Sequence, residues 1–179
     1  DAPARMSIDR VFSLKGFGTI VTGTLIEGKI SIDDEMTIYP SEKKVKVRNL
    51  QVHGCDVKTA YAGQRTAINL SNIKVSEIQR GDVIAETGSV EESMMIDVNI
   101  SLVEHCKKSL KHWDRIRVFH GTKQILCRIV PLNEDEIPYG ESGYAQLRLE
   151  EKIVAKKGDR FIIRSYSPMD TIGGGIIID

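Results

Sequence analysis

One stretch near the start of the chain has a spacing that could bind phosphate. Residues 23–29 read G-x-x-x-x-G-K, the start of the P-loop motif. In a P-loop, backbone N–H groups and the lysine hold the phosphates of a nucleotide. The complete motif also requires a serine or threonine hydroxyl for Mg²⁺ at the next position, where this chain has Ile30, and it lies between a strand and a helix. Because the residues after Lys29 have the pattern of strand and turn, we predict a hairpin turn and no nucleotide site.

Three other charged residues are candidates for a binding site. Asp9 and Arg10 are neighbours in an apolar run near the start of the chain, and Arg65 opens a second run rich in β-forming residues. Neighbouring side chains of a strand point to opposite faces, so we expect Asp9 and Arg10 on opposite faces of a sheet. Taken alone, charged residues on a strand are typical of a solvated surface.

The elements that must position these residues are predicted to be strands. Alternating or β-rich runs separated by turn residues occur throughout the chain, at residues 35–40, 44–53, 65–71, 82–86, 94–103, 115–120, 124–132, 144–155, 159–167 and 172–178. The alternation slips by one place at Asn49, which predicts a bulge. The single helical pattern covers residues 106–113, two turns at most. Short strands at this spacing predict an all-β fold of two tandem antiparallel β-barrels, residues 1–90 and 91–179.

Composition limits the classes of function. The 179 residues carry 25 basic and 25 acidic side chains, so net charge gives no support to nucleic-acid binding, which would need a local patch. No apolar run approaches the ~20 residues of a membrane span. The three cysteines are odd in number and far apart, which suits a reducing cytosol, and the four histidines have no zinc spacing. No catalytic constellation is present, so we predict that this part of the protein is not an enzyme.

Three motifs resemble one family. Residues 8–25, IDRVFSLKGFGTIVTGTL, resemble the opening hairpin of the second domain of translational GTPases, the family of elongation factor Tu. Residues 62–65, AGQR, resemble an Ala-Gly-Glu-Asn stretch of the same domain. The ending SPMDTIGGGIIID resembles the selenocysteine-specific elongation factors, whose general relatives have a shorter version. The resemblance covers nearly all of the chain, although residues 91–140 match in strand rhythm alone.

This resemblance implies the two-barrel body, domains two and three, of a factor that delivers selenocysteinyl-tRNA to the ribosome at recoded UGA codons in the cytoplasm. The parent protein would be a GTPase. Its GTPase domain, with GTP and Mg²⁺, is expected upstream, and a winged-helix region that binds the selenocysteine-insertion hairpin of the messenger RNA is expected downstream. No cofactor, metal or membrane contact is expected for the two barrels themselves.

The resemblance also gives Asp9, Arg10 and Arg65 a role. The positions of elongation factor Tu that match these three residues border the pocket for the amino acid esterified to tRNA. The position that matches Arg10 is acidic there, and the position that matches Arg65 is Asn. A thiol titrates near ~8.5 and a selenol is more acidic, so selenocysteine is largely ionised whereas serine is neutral. A cation ~4 Å from a selenolate has a Coulomb energy of about 4 kcal/mol at a dielectric of ~20, before desolvation. Two arginines would therefore favour selenocysteine over serine, its precursor on the same tRNA.

Basic residues of the second barrel are expected to contact the acceptor and T stems of the tRNA through phosphates, which needs only point charges. The candidates are Lys107, Lys108 and Lys111 in the helical pattern, and Lys156, Lys157 and Arg160 around a turn.

Three alternatives remain open at this point. The barrel pair could belong to a general elongation factor or an initiation factor, but Arg10, Arg65 and the SPMDTIGGG ending argue against both. A β-barrel interaction module without a tRNA role is compatible with the neutral charge, and salt-sensitive tRNA binding would exclude it. An enzyme is the third alternative, which turnover by this part of the protein would support.

Overall fold

The computed structural model describes residues 2–104, 109–167 and 169–179. The chain divides into two compact units, Asp1–Val90 and Glu91–Asp179. Nearly all of the regular structure is β-strand, with a 3₁₀ turn at Val75–Glu77. The all-β prediction of two antiparallel barrels is confirmed.

Nine strands build the first unit: β1 (Arg5–Leu14), β2 (Gly18–Glu27), β3 (Lys29–Ser31), β4 (Glu35–Tyr39), β5 (Lys43–Val52), β6 (Cys55–Val57), β7 (Thr59–Tyr61), β8 (Arg65–Ser71) and β9 (Val83–Glu86). Six of them are hydrogen-bonded in the order β4-β9-β1-β2-β8-β5, and the pairing of β4 with β5 closes the ring. Strand β6 pairs antiparallel with the end of β5, while β3 and β7 form a separate ribbon. The barrel is closed, so its six main strands leave no exposed edge.

Apolar side chains, which alternate with polar ones along the strands, fill the inside of this first barrel. Met6, Ile8, Val21, Leu25 and Ile68 are completely buried and belong to one apolar cluster. The predicted bulge in β5 is present, because the register with β8 shifts between Val47 and Asn49. The G-x-x-x-x-G-K run lies within β2, a bend at Gly28 with φ of 71°, and β3, and no helix follows it. Its geometry is therefore not that of a phosphate-binding loop.

Eight strands build the second unit: β10 (Glu92–Leu102), β11 (Ser109–Lys111), β12 (Arg115–His120), β13 (Lys123–Pro131), β14 (Glu136–Pro138), β15 (Ser142–Val154), β16 (Arg160–Ser165) and β17 (Thr171–Ile177). A closed antiparallel barrel has the strand order β10-β15-β13-β12-β16-β17, and β11 pairs with β14. Its interior is a separate apolar cluster that includes Val98, Ile116, Ile129 and Leu147.

The helix predicted at residues 106–113 is wrong for the part that the structure describes. Ser109–Lys111 forms β11, and residues 105–108 lie outside the described residues. Leu110 is buried in the second cluster and pairs with Ile137 of β14, while Trp113 has a φ of 72°, which no helix accommodates. The helical preference of so short a segment is weak, and burial of Leu110 together with strand pairing outweighs it.

The glycine triplet at residues 173–175 is explained by packing. A Cβ atom on Gly175 would overlap the backbone oxygen of Asn99 and the ring of Phe161, and one on Gly173 would overlap the oxygen of Ser101. Strand β17 therefore approaches β10 and the Phe161 ring more closely than any side chain permits.

Candidate functional site

A bulge in β1 places Asp9 and Arg10. The register of β1 with β2 shifts between Ile8 and Arg10. Ile8 is completely buried and Val11 packs against the same core, so both intervening residues stay on the outer side of the barrel. The expectation that Asp9 and Arg10 lie on opposite faces is therefore wrong, because the extra residue interrupts the alternation.

Asp9 is the centre of a hydrogen-bonded cluster. Its carboxylate accepts two bonds from the guanidinium group of Arg65, one of them at 2.9 Å, and one at 2.8 Å from the hydroxyl of Thr22. The Asp9 side chain is 18% exposed and that of Arg65 51%. The hydrogen bonds from Arg65 hold the pKa of Asp9 below its ordinary value; Thr22 and the charges of Arg65 and Arg80 lower it further, while burial opposes them. Asp9 is thus a carboxylate that fixes the orientation of Arg65.

Arg10 lies beside this pair with a different partner. Its guanidinium carbon is 5.3 Å from the centre of the Phe12 ring, a cation–π contact on the outer face of β1. Its charge is therefore not neutralised by a carboxylate among the described residues. The structure brings Asp9 and Arg65 into contact and sets Arg10 next to them on the same side of the sheet.

Arg80 is a member of the cluster that the sequence did not indicate. Its Nη1 donates to the backbone oxygen of Asp9 at 3.3 Å. The loop that carries Arg80 is held on β1 because Gly81 N donates to Ile8 O at 2.9 Å and Ile8 N donates to Asp82 O at 2.8 Å. No spacing relates residues 80 and 9, so only the tertiary fold reveals this contact. Three guanidinium groups and one carboxylate make the cluster net positive and able to bind an anion.

The basic residues predicted in the second barrel are dispersed. Lys107 and Lys108 lie outside the described residues. Lys111 is exposed at the end of β11, Lys156 and Lys157 occupy the turn between β15 and β16, and Arg160 begins β16. The described members of the set therefore lie at two places of the unit, the end of β11 and the β15–β16 turn.

A second basic surface was missed by the sequence analysis. Five arginines share the outer face of four consecutive strands, β16, β12, β13 and β15, where each lies next to a core-facing residue in the alternation of its strand. We call this surface the arginine face; its members are Arg115, Arg117, Arg128, Arg148 and Arg164. Arg117 lies directly across from Arg164, and Arg128 lies directly across from both Arg115 and Arg148. The signal in the sequence was the outward position of each arginine, but the pairing of strands was needed to join them.

Aromatic rings and neutral acceptors hold the arginine face in place. The guanidinium carbons of Arg115 and Arg117 lie 4.8 and 5.1 Å from the centre of the Tyr166 ring, and that of Arg164 lies 5.0 Å from the Phe119 ring. Backbone and amide oxygens accept hydrogen bonds from three members: Tyr166 O from Arg117, Trp113 O from Arg128, and Gln146 Oε1 from Arg148.

Like charges directly across a sheet destabilise it, so this arrangement is unfavourable without a counter-charge. Among the described residues, one carboxylate forms an ion pair with the arginine face: Glu150, which binds Arg115. The Nε of Arg164 is buried and has no hydrogen-bond partner in the described part of the chain. A surface of planar, oriented and largely uncompensated guanidinium groups, stacked on aromatic rings, is suited to phosphate groups of a nucleic acid.

Neither basic cluster has the composition of a metal site. Within residues 2–104, 109–167 and 169–179, no three His, Cys, Asp or Glu side chains are placed so that they could hold a metal ion. The same ranges contain no helix with the length and apolar character needed to cross a lipid bilayer.

Comparison with protein families matches each barrel separately. Residues 97–179 match the family model of the β-barrel domain of selenocysteine-specific elongation factors. Residues 18–85 match the family model of elongation factor Tu domain 2.

Individual relatives match almost the whole chain. A selenocysteine-specific elongation factor of Desulfomicrobium baculatum is 40% identical over 98% of this chain and 28% of its own length. One of Methanocaldococcus jannaschii is 30% identical over 98% of this chain and 41% of its own length. The chain thus spans less than half the length of these relatives.

Two solved structures have the same fold. The apo form of translation elongation factor SelB from Methanococcus maripaludis superposes with a TM-score of 0.86 at 26% identity, covering 100% of this chain and 43% of that one. A bacterial selenocysteine-specific elongation factor superposes with a TM-score of 0.84 at 27% identity, covering 98% of this chain and 28% of that one.

Proposed function

Because this chain belongs to the family of selenocysteine-specific elongation factors, we propose that it is the part of such a factor that binds selenocysteinyl-tRNA for delivery to the ribosome at recoded UGA codons. The agreement of relatives over 98% of the chain favours this function over that of a general elongation factor, an initiation factor or an unrelated interaction module. The two barrels bind, and the chemistry of GTP hydrolysis belongs to another domain of the factor.

The first barrel binds the aminoacyl end of the tRNA at Asp9, Arg10 and Arg65. The observation that supports this most is the fork of hydrogen bonds by which Asp9 fixes Arg65, next to the uncompensated charge of Arg10. Asp9 neutralises one of the three guanidinium groups nearby, so Arg10 and Arg80 leave the cluster positive. A selenolate side chain is stabilised there, whereas the neutral hydroxyl of serine is not.

The second barrel binds the stems of the tRNA through phosphates. The arginine face is the surface that supports this best, because its members are oriented by rings and neutral acceptors. Among the described residues, only Arg115 of the five is paired with a carboxylate. Lys111, Lys156, Lys157 and Arg160 remain predicted contacts at other places of the same unit, and Lys107 and Lys108 remain predictions outside the described residues.

The rest of the factor completes this function. A GTPase domain that holds GTP and Mg²⁺ closes the aminoacyl pocket from the other side, and a C-terminal region binds the selenocysteine-insertion hairpin of the messenger RNA. The two barrels hold no cofactor of their own, and the factor acts in the cytoplasm.

The test is a comparison of two aminoacyl-tRNAs on one tRNA body. The full-length, GTP-loaded factor is titrated with selenocysteinyl-tRNA and with seryl-tRNA, as wild type, Arg10→Ala and Arg65→Ala. Each variant is expected to lose at least tenfold of the preference for selenocysteine, equivalent to about 1.4 kcal/mol. Arg48→Ala, an exposed arginine elsewhere in the first barrel, is the matched control and keeps the preference. A wild-type factor that binds both tRNAs equally contradicts the function; an undiminished preference in Arg10→Ala contradicts the pocket.

A further inference from the structure

Glu150 occupies the edge of Arg115 that a phosphate group would use. The Nε and Nη2 atoms of Arg115 donate to the two carboxylate oxygens of Glu150 at 2.8 and 2.7 Å. A guanidinium group binds phosphate through the same pair of parallel N–H···O bonds. The carboxylate therefore stands where two phosphate oxygens would stand, and it carries the same sign of charge.

The other members of the arginine face are held differently. Arg117, Arg128 and Arg148 donate to neutral backbone or amide oxygens, which orient a guanidinium group without cancelling its charge. Within the described residues, Arg115 alone of the five is paired with a carboxylate. The charge of Glu150 also acts on Arg128, since Arg115 and then Arg128 both lower the pKa of Glu150.

Glu150 is not needed to orient Arg115. The guanidinium carbon of Arg115 lies 4.8 Å from the centre of the Tyr166 ring, which supports it from another direction. The side chains of Arg115 and Glu150 are 29% and 41% exposed, and solvent weakens an ion pair of this exposure. The pair can therefore open when a polyanion reaches the surface, and Arg115 stays stacked on Tyr166.

We infer that Glu150 is an affinity-limiting residue of the arginine face, an internal carboxylate that competes with RNA phosphate for Arg115. This inference rests on the proposed binding of RNA stems by the second barrel. An RNA backbone must engage the other arginines and displace Glu150 before Arg115 contributes. The competition lowers the affinity for short or poorly fitting polyanions more than for a stem that reaches several arginines at once.

The test uses Glu150→Gln and a matched control on the same strand. Glu151→Gln removes the same charge from the neighbouring residue, whose carboxylate faces Lys123 at 3.9 Å instead of the arginine face. Binding of a short RNA duplex to the 179-residue chain is measured by fluorescence anisotropy over a range of salt concentrations. A short duplex reaches too few arginines to displace Glu150, so Arg115 contacts phosphate only when the carboxylate is removed. Glu150→Gln is therefore expected to bind more tightly than Glu151→Gln, with a log–log salt slope steeper by about 0.9, the value for one more phosphate contact. Between ~50 and ~200 mM salt, this difference in slope makes the affinity of Glu150→Gln fall about 3.5-fold more than that of Glu151→Gln.

Two results would overturn the inference. One is an equal gain in both variants, which would mean that only the total charge matters. The other is weaker binding by Glu150→Gln, which would make Glu150 a support for Arg115. Arg117→Ala separates these failures from a failure of the proposed function. If it leaves the affinity of the wild type unchanged, the arginine face does not bind RNA; if it weakens binding while Glu150→Gln behaves like Glu151→Gln, only the role of Glu150 is wrong.

Discussion

Replacing Asp9 by Asn tests whether the carboxylate at the centre of the first site does what its geometry indicates. The substitution keeps the size of the side chain and removes its charge. Asp9 accepts three hydrogen bonds, two from Arg65 and one from Thr22, and its side chain is 18% exposed. The amide of Asn has one acceptor oxygen and one NH2 donor, whereas the two N–H groups of Arg65 need two acceptors.

The size of the effect follows from the exposure of the pair. A hydrogen bond to a charged group contributes about 1.5–3 kcal/mol when it is well buried, and an exposed ion pair contributes about 0.2–1 kcal/mol. Half of the Arg65 side chain is in solvent while Asp9 is mostly buried, so we expect Asp9→Asn to cost about 1.5 kcal/mol. For a unit of this size, each kcal/mol lowers the Tm by about 4–8 °C.

The loss must depend on pH in one direction. The folded-state pKa of Asp9 is lowered, chiefly by the hydrogen bonds from Arg65, whereas the unfolded chain has a value near ~3.9. The stabilisation is therefore fully present above about pH 3.9 and is lost as the pH falls through the folded-state pKa. Wild type and Asp9→Asn should differ at pH ~7 and converge in acid.

The assay is chemical denaturation at pH ~7 and at successively lower pH, with Asp56→Asn beside it. Asp56 is an exposed aspartate of the same barrel, and within the described residues its carboxylate accepts a hydrogen bond from the side chain of Gln51 alone. A cost for Asp9→Asn no greater than that for Asp56→Asn would refute the claim that Asp9 anchors the cluster. A cost that persists unchanged in acid would show that it comes from packing and not from charge.

Two further outcomes test the second barrel. Gly175→Ala should destabilise it severely, by several kcal/mol, because the new methyl overlaps the Phe161 ring and neighbouring backbone; a Tm within a few degrees of wild type would contradict this packing. Cys127 should resist alkylation at pH ~8 until the barrel unfolds, because complete burial raises the pKa of its thiol to about 12, whereas the exposed Cys55 should react at once; mass mapping of equal labelling at both would contradict this.

Strand periodicity predicted the fold because each barrel has one buried and one solvated side. It also revealed the bulge in β5, where the buried positions move from Val47 to Leu50 and the phase visibly slips. The bulge in β1 was invisible for a physical reason. Asp9 and Arg10, both polar, lie at the bulge, and the next two residues, Val11 and Phe12, are both apolar. The sequence therefore has no alternation here from which buried and exposed positions could be assigned.

The arginine face shows a different limit. Alternation within β12 alone puts Arg115 and Arg117 on the outside. Their adjacency to arginines of other strands depends on the order β16-β12-β13-β15, in which β15 pairs with β13 across the intervening β14. Strand order of this kind is set by barrel closure, which local sequence does not encode.

Overall neutrality of the chain hides how its charges are separated. In the second unit, Glu134, Glu136 and Glu141 line one cavity at the β13–β15 connection, while the arginine face occupies the outer side of the strands. The two signs cancel in the total, but they do not cancel at the surface, where a ligand meets one region at a time. A polyanion is attracted to the arginines and repelled from the acidic loop, so the charge pattern orients its approach as well as attracting it. Net charge therefore gave no support to nucleic-acid binding, which would need a local patch, and the arginine face is a local patch of that kind.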